Sequence, residues 1–341
     1  MSVSADRVMI ISNPDDEHTA RVAWHLRAMD IDPIMLYPEH FGDSHALSLH
    51  LAGVPARWNC SIRMPSMDLD MATIASVWYR RPRLPLAGSG LSGASLAFAR
   101  DEWRSAISSL YALSTFSLWV SSPERLHLAA NKPRQLLLAS NLGFAIPRTL
   151  ISSDPRRIAE FYHDCDGRII AKATGTGWLS GEDHEVDRYV LTNRVMLNDL
   201  MDSPALSLAP TTFQEEILKA YELRVTVVGS AVHAVRIDSQ ASAISAVDWR
   251  RYDTANTPYS PYELPPALIE GCLAITHALG LEYGAIDLIC TPTGQYVFLE
   301  INGNGQFLWA EMLSGVPIAR SVACLLARSA PSLTESRGGP P

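Results

Sequence analysis

The spacing of apolar residues changes twice within the first forty positions. Val8 to Ile11 is a short run of the kind that fills a strand, Asn13 to Glu17 is a polar turn, and a helical stretch follows to about Met29 before a second apolar run from Pro33 to Leu36. This is a β-α-β opening. Another strand is expected over Ser76–Tyr79, ending in Arg80, Arg81 and Pro82, and a Gly/Ser-rich loop from Gly88 to Gly93 leads into a long helix. Leu96, Trp103, Ile107, Leu110 and Leu113 or Ser114 recur there at helical spacing, so one face packs while Arg100, Asp101 and Arg104 take the other. Residues 1–125 are therefore read as a small α/β domain.

Ser121-Ser122-Pro123 interrupts the pattern, and a second strong helix is predicted from Arg125 to Leu142, followed by a strand over Pro147–Ile151. A helix near Pro155 to Cys165, a strand from Arg168 to Ala173, a helix near Asp187 to Met201 and a strand from Thr212 to Ile217 come next. Glu222–Gly229 and Ser230–Ile237 alternate as an antiparallel pair turning at Gly229-Ser230. A helix from Pro265 to Leu279, a hairpin from Tyr283 to Ile301 and a helix from Val316 to Arg328 complete the pattern. The Pro/Gly/Ser-rich segment 329–341 is expected to be disordered.

With 341 residues, 47% of them hydrophobic, the chain can build more than one core. The 28 Lys and Arg are outnumbered by 36 Asp and Glu, a formal charge of −8. This disfavours nucleic acid and anionic membrane as partners and leaves any anionic ligand to a local basic cluster. The 5 cysteines are scattered without a Cys-x-x-Cys pair, and no signal-like segment or long apolar run is present, so a cytoplasmic location is expected.

The sharpest chemical signal is Ala285-Ile286-Asp287-Leu288-Ile289 followed by Val297-Phe298-Leu299-Glu300-Ile301-Asn302. Alternation puts Glu300 and Asn302 on one strand face. With Pro292 to Gln295 as a four-residue turn, Thr291 pairs with Tyr296 and Asp287 falls opposite Glu300. Two carboxylates and an amide oxygen among apolar neighbours need a compensating cation, and hard oxygen donors in that number suit Mg²⁺ carrying phosphate oxygens. The alternative is a hairpin whose polar face meets solvent. Two lysines, Lys132 in Ala-Asn-Lys-Pro and Lys172 at a strand end before Thr174-Gly175-Thr176-Gly177, could supply positive charge to phosphate, although a solvated strand end would look the same. Gln214-Glu215-Glu216-Ile217 precedes Glu222 and Arg224, which share a strand face: Glu222 could accept a ribose hydroxyl, and Arg224 could neutralise a phosphate or acyl-phosphate oxygen. Arg250, in Asp248-Trp249-Arg250, is a further phosphate candidate. A surface ion pair is the plainer account of these charges.

Taken in order, these motifs resemble the ATP-grasp superfamily over residues 125–328. That resemblance implies an α/β fold of the α+β ATP-grasp kind, with an N-terminal pre-ATP-grasp α/β domain (1–125) followed by a central subdomain with a peptide-binding region (126–212) and a C-terminal subdomain with the metal site (213–328), the two clamping ATP between them. It implies that Lys132 and Lys172 contact the nucleotide phosphates, that the backbone of the Gln214–Ile217 segment, Glu215 and Glu216 above all, meets adenine, that Glu222 holds ribose, and that Asp287, Glu300 and Asn302 bind Mg²⁺, expected as two ions. Catalytic roles fall to Lys172, Arg224 and Arg250.

Tyr221-Glu-Leu-Arg-Val-Thr-Val-Val-Gly229, Asp248-Trp249-Arg250, Asn302-Gly-Asn-Gly-Gln-Phe-Leu-Trp309 and Val77-Trp-Tyr-Arg-Arg-Pro82 are similar to the ribosomal-peptide maturases of the microviridin or graspetide type. Such an enzyme binds the leader of a precursor peptide, activates Asp or Glu side chains of the core as acyl phosphates, and joins them to Ser/Thr hydroxyls or Lys amines as ω-esters or ω-amides. Glu182-Asp183-His184-Glu185 lies where leader contact is expected. The other readings weighed are a RimK-like intermolecular ligase that adds amino acids to a small acid or protein, and a non-catalytic peptide-binding module of the same fold. A dinucleotide oxidoreductase is disfavoured because the turn from Ser12 to Glu17 lacks a glycine fingerprint. The apolar face expected on the helix from Ala94 to Phe116 is compatible with a homodimer.

Overall fold

A computed structural model of the chain describes residues 6–85, 90–114, 118–175, 177–179, 188–201, 203–251 and 253–328. Gly88, Ser89, Phe116, Thr176, the stretch Glu182–Glu185 and the segment 329–341 lie outside them. The opening apolar pattern becomes β1 (Arg7–Ile11), α1 (Glu17–Arg27) and β2 (Ile34–Leu36), with β2 parallel to β1. Asp16 starts α1 by accepting the His18 N–H, and Val22, Ala23 and Leu26 form its buried stripe. An antiparallel meander of β3 (Ala46–Ala52), β4 (Arg57–Met64) and β5 (Met67–Asp70) follows, and none of its strands is among the expected elements. β6 (Ile74–Tyr79) then returns to lie parallel on the other side of β1, α2 (Gly93–Leu113) packs Ile107 and Leu110 inward, and β7 (Leu118–Val120) gives the order β2-β1-β6-β7.

The helix predicted from Arg125 to Leu142 is in fact two, α3 (Pro123–Ala129) and α4 (Lys132–Asn141). Asn131 explains the break: its extended backbone and its side-chain oxygen, accepting the Arg134 N–H, cap a new helix, and Pro133 in the first turn has no N–H to continue the old one. Lys132 consequently stands at a helix start. β8 (Thr149–Ser152), α5 (Pro155–Asp164) and β9 (Ile169–Lys172) fall where the periodicity places them.

The helix expected near Asp187 to Met201 does not form. In its place are β11 (Arg188–Tyr189), paired with β10 (Trp178–Leu179), β12 (Asn193–Arg194), and a single 3₁₀ turn over Leu197–Met201. Pairing of Asn193 and Arg194 with Ala171 and Ile170 of β9 overrides local helix preference. A short α6 (Ser203–Ser207) and β13 (Thr211–Glu215) complete a central sheet of order β12-β9-β13-β8.

A second, five-stranded antiparallel sheet has the order β16-β15-β14-β17-β18, built from β14 (Tyr221–Val228), β15 (Ala231–Ile237), β16 (Tyr259–Pro261), β17 (Tyr283–Cys290) and β18 (Tyr296–Asn302). Gly229, at φ +56°, makes the β14–β15 turn that was read from Gly229-Ser230. α7 (Pro266–Ala278) covers one face, and α8 (Leu308–Ser314) and α9 (Ile318–Ala327) follow β18. The mixed α/β class is the class expected. No helix among the described residues is long and apolar enough to cross a membrane.

The pairing of Asp287 with Glu300 is as expected, but it arises differently. Thr291 donates to the carbonyl of Gln295 rather than pairing with Tyr296, so the turn is one residue shorter, and the ladder runs Cys290–Tyr296, Ile289–Val297, Leu288–Phe298. A bulge at Leu299 then restores the offset, giving Asp287–Glu300 and Ile286–Ile301. The extra residue also shifts the alternation, so that Phe298 and Ile301 both reach the core while Leu299 and Glu300 face the opposite side.

α9 sits between the two large sheets. Ile318, Ala319, Val322, Ala323 and Leu326 share one buried cluster with Val8, Ile10 and Trp78 of the parallel sheet and Val228, Val235 and Tyr283 of the antiparallel one. The far face of the antiparallel sheet packs on α7 and α4. Here Gln135, 2% exposed, donates to the carbonyls of Ala129 (2.7 Å) and Ile301 (2.8 Å) and accepts the Ile301 N–H at 3.0 Å. Replacing it strands three buried backbone groups beside Glu300. Gln135→Ala is expected to cost about 3 kcal/mol, seen as a lower urea midpoint at unchanged slope.

Candidate active site

The central sheet and the antiparallel sheet face each other across a cleft of about 870 Å³, counted to its open mouth. Lys172 and Gln214 to Ile217 line it from the central side, and Glu222, Arg250, Asp287 and Glu300 from the other, together with Lys132 at the start of α4. Arg224 stands behind Asp287, and Asn302 opens onto an adjoining recess that shares Lys132, Gly175, Arg250 and Glu300 with the main cleft. Ten of the twelve predicted positions thus line one cavity, and the remaining two adjoin it.

On the floor, Asp287 lies opposite Glu300 and also opposite Arg224 on its other flank. Arg224 Nη1 donates to both Asp287 oxygens, at 2.9 and 3.0 Å, in a pair with little solvent contact. Burial raises the Asp287 carboxyl, with Arg224 opposing and Glu300 adding to the rise. Burial acts the same way on Glu300, but Lys132, Lys172 and Arg250 together hold it below the ordinary glutamate value. Lys132 Nζ is 3.4 Å from Glu300 and 3.4 Å from the Gly175 carbonyl. Next to this floor, a methyl group added at Gly305 would meet the Ala285 side chain and lie 2.7 Å from Arg224 Nη2, which accounts for glycine there.

At the cleft and directly behind it, two cationic groups keep unused donors. Lys172 ends β9 and makes no hydrogen bond or ion pair among the described residues; burial pushes its ammonium pKa down, Lys132 and Arg250 contribute in the same sense, and Glu300 opposes. Arg224 Nε is buried without a hydrogen-bond partner among those residues. A buried cation without its complement carries a desolvation cost that an anion in the cleft would offset.

At the other end of the cleft the walls are apolar, with Pro147 and Ile170 on the central side and Ile289 and Leu299 across from them. The N–H groups of Glu215 and Glu216 are already donated, to the carbonyls of Arg148 (3.1 Å) and Arg168 (2.9 Å). The Ile217 N–H donates to no described residue. Glu222 is buried, its carboxyl raised by that burial against the pull of Lys219 at 3.0 Å. A planar heterocycle between these walls and a hydroxylated ring near Glu222 would both find partners.

Arg250 is held by Asp248, Nη2 to Oδ2 at 2.7 Å and Nε to Oδ1 at 2.9 Å, while Asp248 also accepts the Thr192 N–H. Trp249 packs at a tilt of 40° against Trp309 of α8, ring centroids 4.7 Å apart. Burial alone would raise the Asp248 carboxyl, but hydrogen bonds and charge from Arg250 bring it down to about 2. A carboxyl lower in the folded than in the unfolded state, where it is ordinarily about 3.9, contributes stability above the unfolded value that is lost as pH falls toward the folded one. Asp248→Asn is therefore expected to remove about 2 kcal/mol of stability at neutral pH and to flatten its decline below pH ~4 in urea titrations.

Residues that the periodicity does not single out also shape the site. Thr192 joins the central sheet to Asp248, and Pro147 and Ile170 give the apolar wall. Only the alternation within Arg168–Ala173 could have signalled Ile170, and nothing local marks Thr192. Arg236, on the neighbouring strand, pairs with Asp238 and covers the Tyr221 ring at 4.0 Å.

The donor set fits a hard cation with a polyphosphate. Among the described residues no three His, Cys, Asp or Glu side chains are placed to hold a metal; the oxygen donors at this floor are the paired carboxylates of Asp287 and Glu300, with the Asn302 amide in the adjoining recess. Two or three protein oxygens are what Mg²⁺ uses when phosphate and water complete its shell.

No family profile matches the chain, and no curated protein matches it. Solved structures do. The macrocyclase MdnC bound with precursor peptide MdnA from Microcystis aeruginosa MRC superposes with a TM-score of 0.82 at 29% identity, over 94% of this chain and 99% of that one. A RiPP-associated ATP-grasp ligase of Chryseobacterium gregarium, in complex with ADP and a leader and core peptide, gives 0.86 at 27% over 96% and 98%. The Microcystis macrocyclase MdnB gives 0.76 at 26% over 94% and 99%.

Proposed function

The chain is an ATP-grasp ligase similar to the ribosomal-peptide maturases of the graspetide type, and from that premise we propose that it is an ATP-dependent peptide macrocyclase. The observation that carries the reading is the convergence of Lys132, Lys172, Asp287 and Glu300 in one cleft whose cationic donors are incompletely used. Lys132 and Lys172 hold the phosphates of ATP as point charges, Asp287, Glu300 and Asn302 hold Mg²⁺, and Pro147, Ile170, Ile289 and Leu299 enclose adenine. The free Ile217 N–H is the donor for adenine, since those of Glu215 and Glu216 are taken. Glu222 accepts from ribose. Bound Mg²⁺ supplies charge neutralisation at the transferring phosphoryl group.

Arg250 faces the charge that develops when a peptide Asp or Glu carboxylate takes the γ-phosphoryl group, leaving ADP, and Arg224 adds its charge from behind Asp287. A Ser/Thr hydroxyl or Lys amine of the same peptide then attacks the acyl carbon and phosphate departs, closing an ω-ester or ω-amide ring. Both reactants belong to one bound chain, which raises their effective concentration. Incubation with Mg-ATP and precursor peptides encoded beside the protein tests this by mass spectrometry: each ring lowers the peptide mass by about 18 Da as one water is lost. Peptide mass that rises by an amino-acid residue would establish the intermolecular ligase instead, and no ADP formation with any peptide would support the non-catalytic module.

A further inference from the structure

The turn after β18 is gripped by the parallel sheet. Arg80, at the end of β6 and 1% exposed, directs Nη1 at the carbonyl oxygens of Asn304 and Gly305, the latter at 3.2 Å. Asn304 answers by donating Nδ2 to the Arg80 carbonyl at 2.8 Å, and Arg81 Nη2 adds a bond to the Asn304 carbonyl at 3.3 Å. The Arg80 N–H is fixed in turn on the Ile11 carbonyl at 2.9 Å, and Asp16 Oδ2 lies 3.4 Å from Arg80 Nε. From this clamped residue the Asn304 N–H reaches Asn302 Oδ1 at 2.9 Å.

Asn302 is exposed at a strand end, where its amide would otherwise be free to rotate and to flip. A backbone N–H can meet only the oxygen of that amide, and the oxygen keeps a second lone pair. Resting on the reading of Asn302 as a metal ligand, we propose that Arg80 is a positioning residue for the metal site: acting through Asn304, it sets which atom Asn302 presents and where. The parallel sheet is then part of the nucleotide site without touching the nucleotide.

Calorimetric titration of the full chain with ADP, in EDTA and at stepped Mg²⁺ concentrations, tests this. Arg80→Met and Asn304→Ala are each expected to raise the half-saturating Mg²⁺ concentration about tenfold or more. Metal-free ADP affinity stays within about twofold, and the double variant is no worse than the poorer single one. Arg80→Lys should recover part of the loss, since an ammonium can meet a carbonyl but lacks the fork. An unchanged Mg²⁺ midpoint, or an equal loss of metal-free ADP binding, overturns the proposal. Asn304→Ala, at a half-buried turn, carries the test if Arg80→Met does not fold. Glu300→Gln separates the two levels: if it leaves the Mg²⁺ dependence untouched, the metal reading fails, whereas a shift there without one in the Arg80 and Asn304 variants defeats only the positioning role.

Discussion

Lys172→Met is expected to lower peptide-dependent ADP formation by about 10²-fold or more while leaving thermal stability unchanged or raised. The two halves of that result have one cause. The Lys172 ammonium makes no ion pair or hydrogen bond among the described residues, and burial depresses its pKa in spite of the attraction of Glu300, so the hydration lost on folding outweighs what the charge gains. Methionine keeps the apolar stem and removes only the cation. A coupled assay of ADP release and a melting curve on the same sample decide it. Activity and melting temperature falling together would mean that Lys172 is structural, and retained activity would remove it from phosphate binding.

Arg224→Met should behave in the opposite way, losing both activity and about 3–5 kcal/mol of stability, because it leaves the Asp287 carboxylate buried beside Glu300 without the nitrogen that donates to both its oxygens. The sign of the pH response follows. Without Arg224 the folded-state value of Asp287 moves further above the unfolded one, so the penalty is absent below the unfolded value and grows as pH rises toward the folded one. Acidification should therefore narrow the gap to wild type. Adding Asp287→Leu is expected to recover most of the stability and none of the activity. Urea midpoints at several pH values for the single and double variants measure this, and a double variant no more stable than Arg224→Met would show that the pair is not what the arginine supports.

Much of this site was legible because its residues lie on strongly periodic elements. Lys172, Glu222, Arg224, Asp287 and Glu300 occupy strands whose alternation is plain, and their order along the chain carried the resemblance. The misreadings came from features without a local period. Asn131 capped a helix that apolar spacing alone would have continued, and pairing with β9 replaced the helix expected near Asp187 to Met201. Two opposite one-residue differences, a shorter turn and the Leu299 bulge, left the expected Asp287–Glu300 pair intact. In β3 and β4 a signal existed, Leu47, Leu49 and Leu51 alternating like Cys60, Ile62 and Met64, but half of these positions are at most partly covered, and no element is expected there from the sequence. Contacts such as Arg80 with Asn304 join positions 224 apart and leave no trace in spacing.

The placement of α9 bears on how the cleft can change shape. With buried residues of that helix packed against both the parallel and the antiparallel sheets, those two layers share one continuous core. The central sheet is attached differently, by polar links: the bridge between Ala145 and Val297, and hydrogen bonds that join Thr192 and Asn193 to Asp248, Arg250 and Arg251. The cleft thus has Lys172 on its more lightly attached wall and Asp287 and Glu300 on the wall whose sheet shares a core with the parallel sheet.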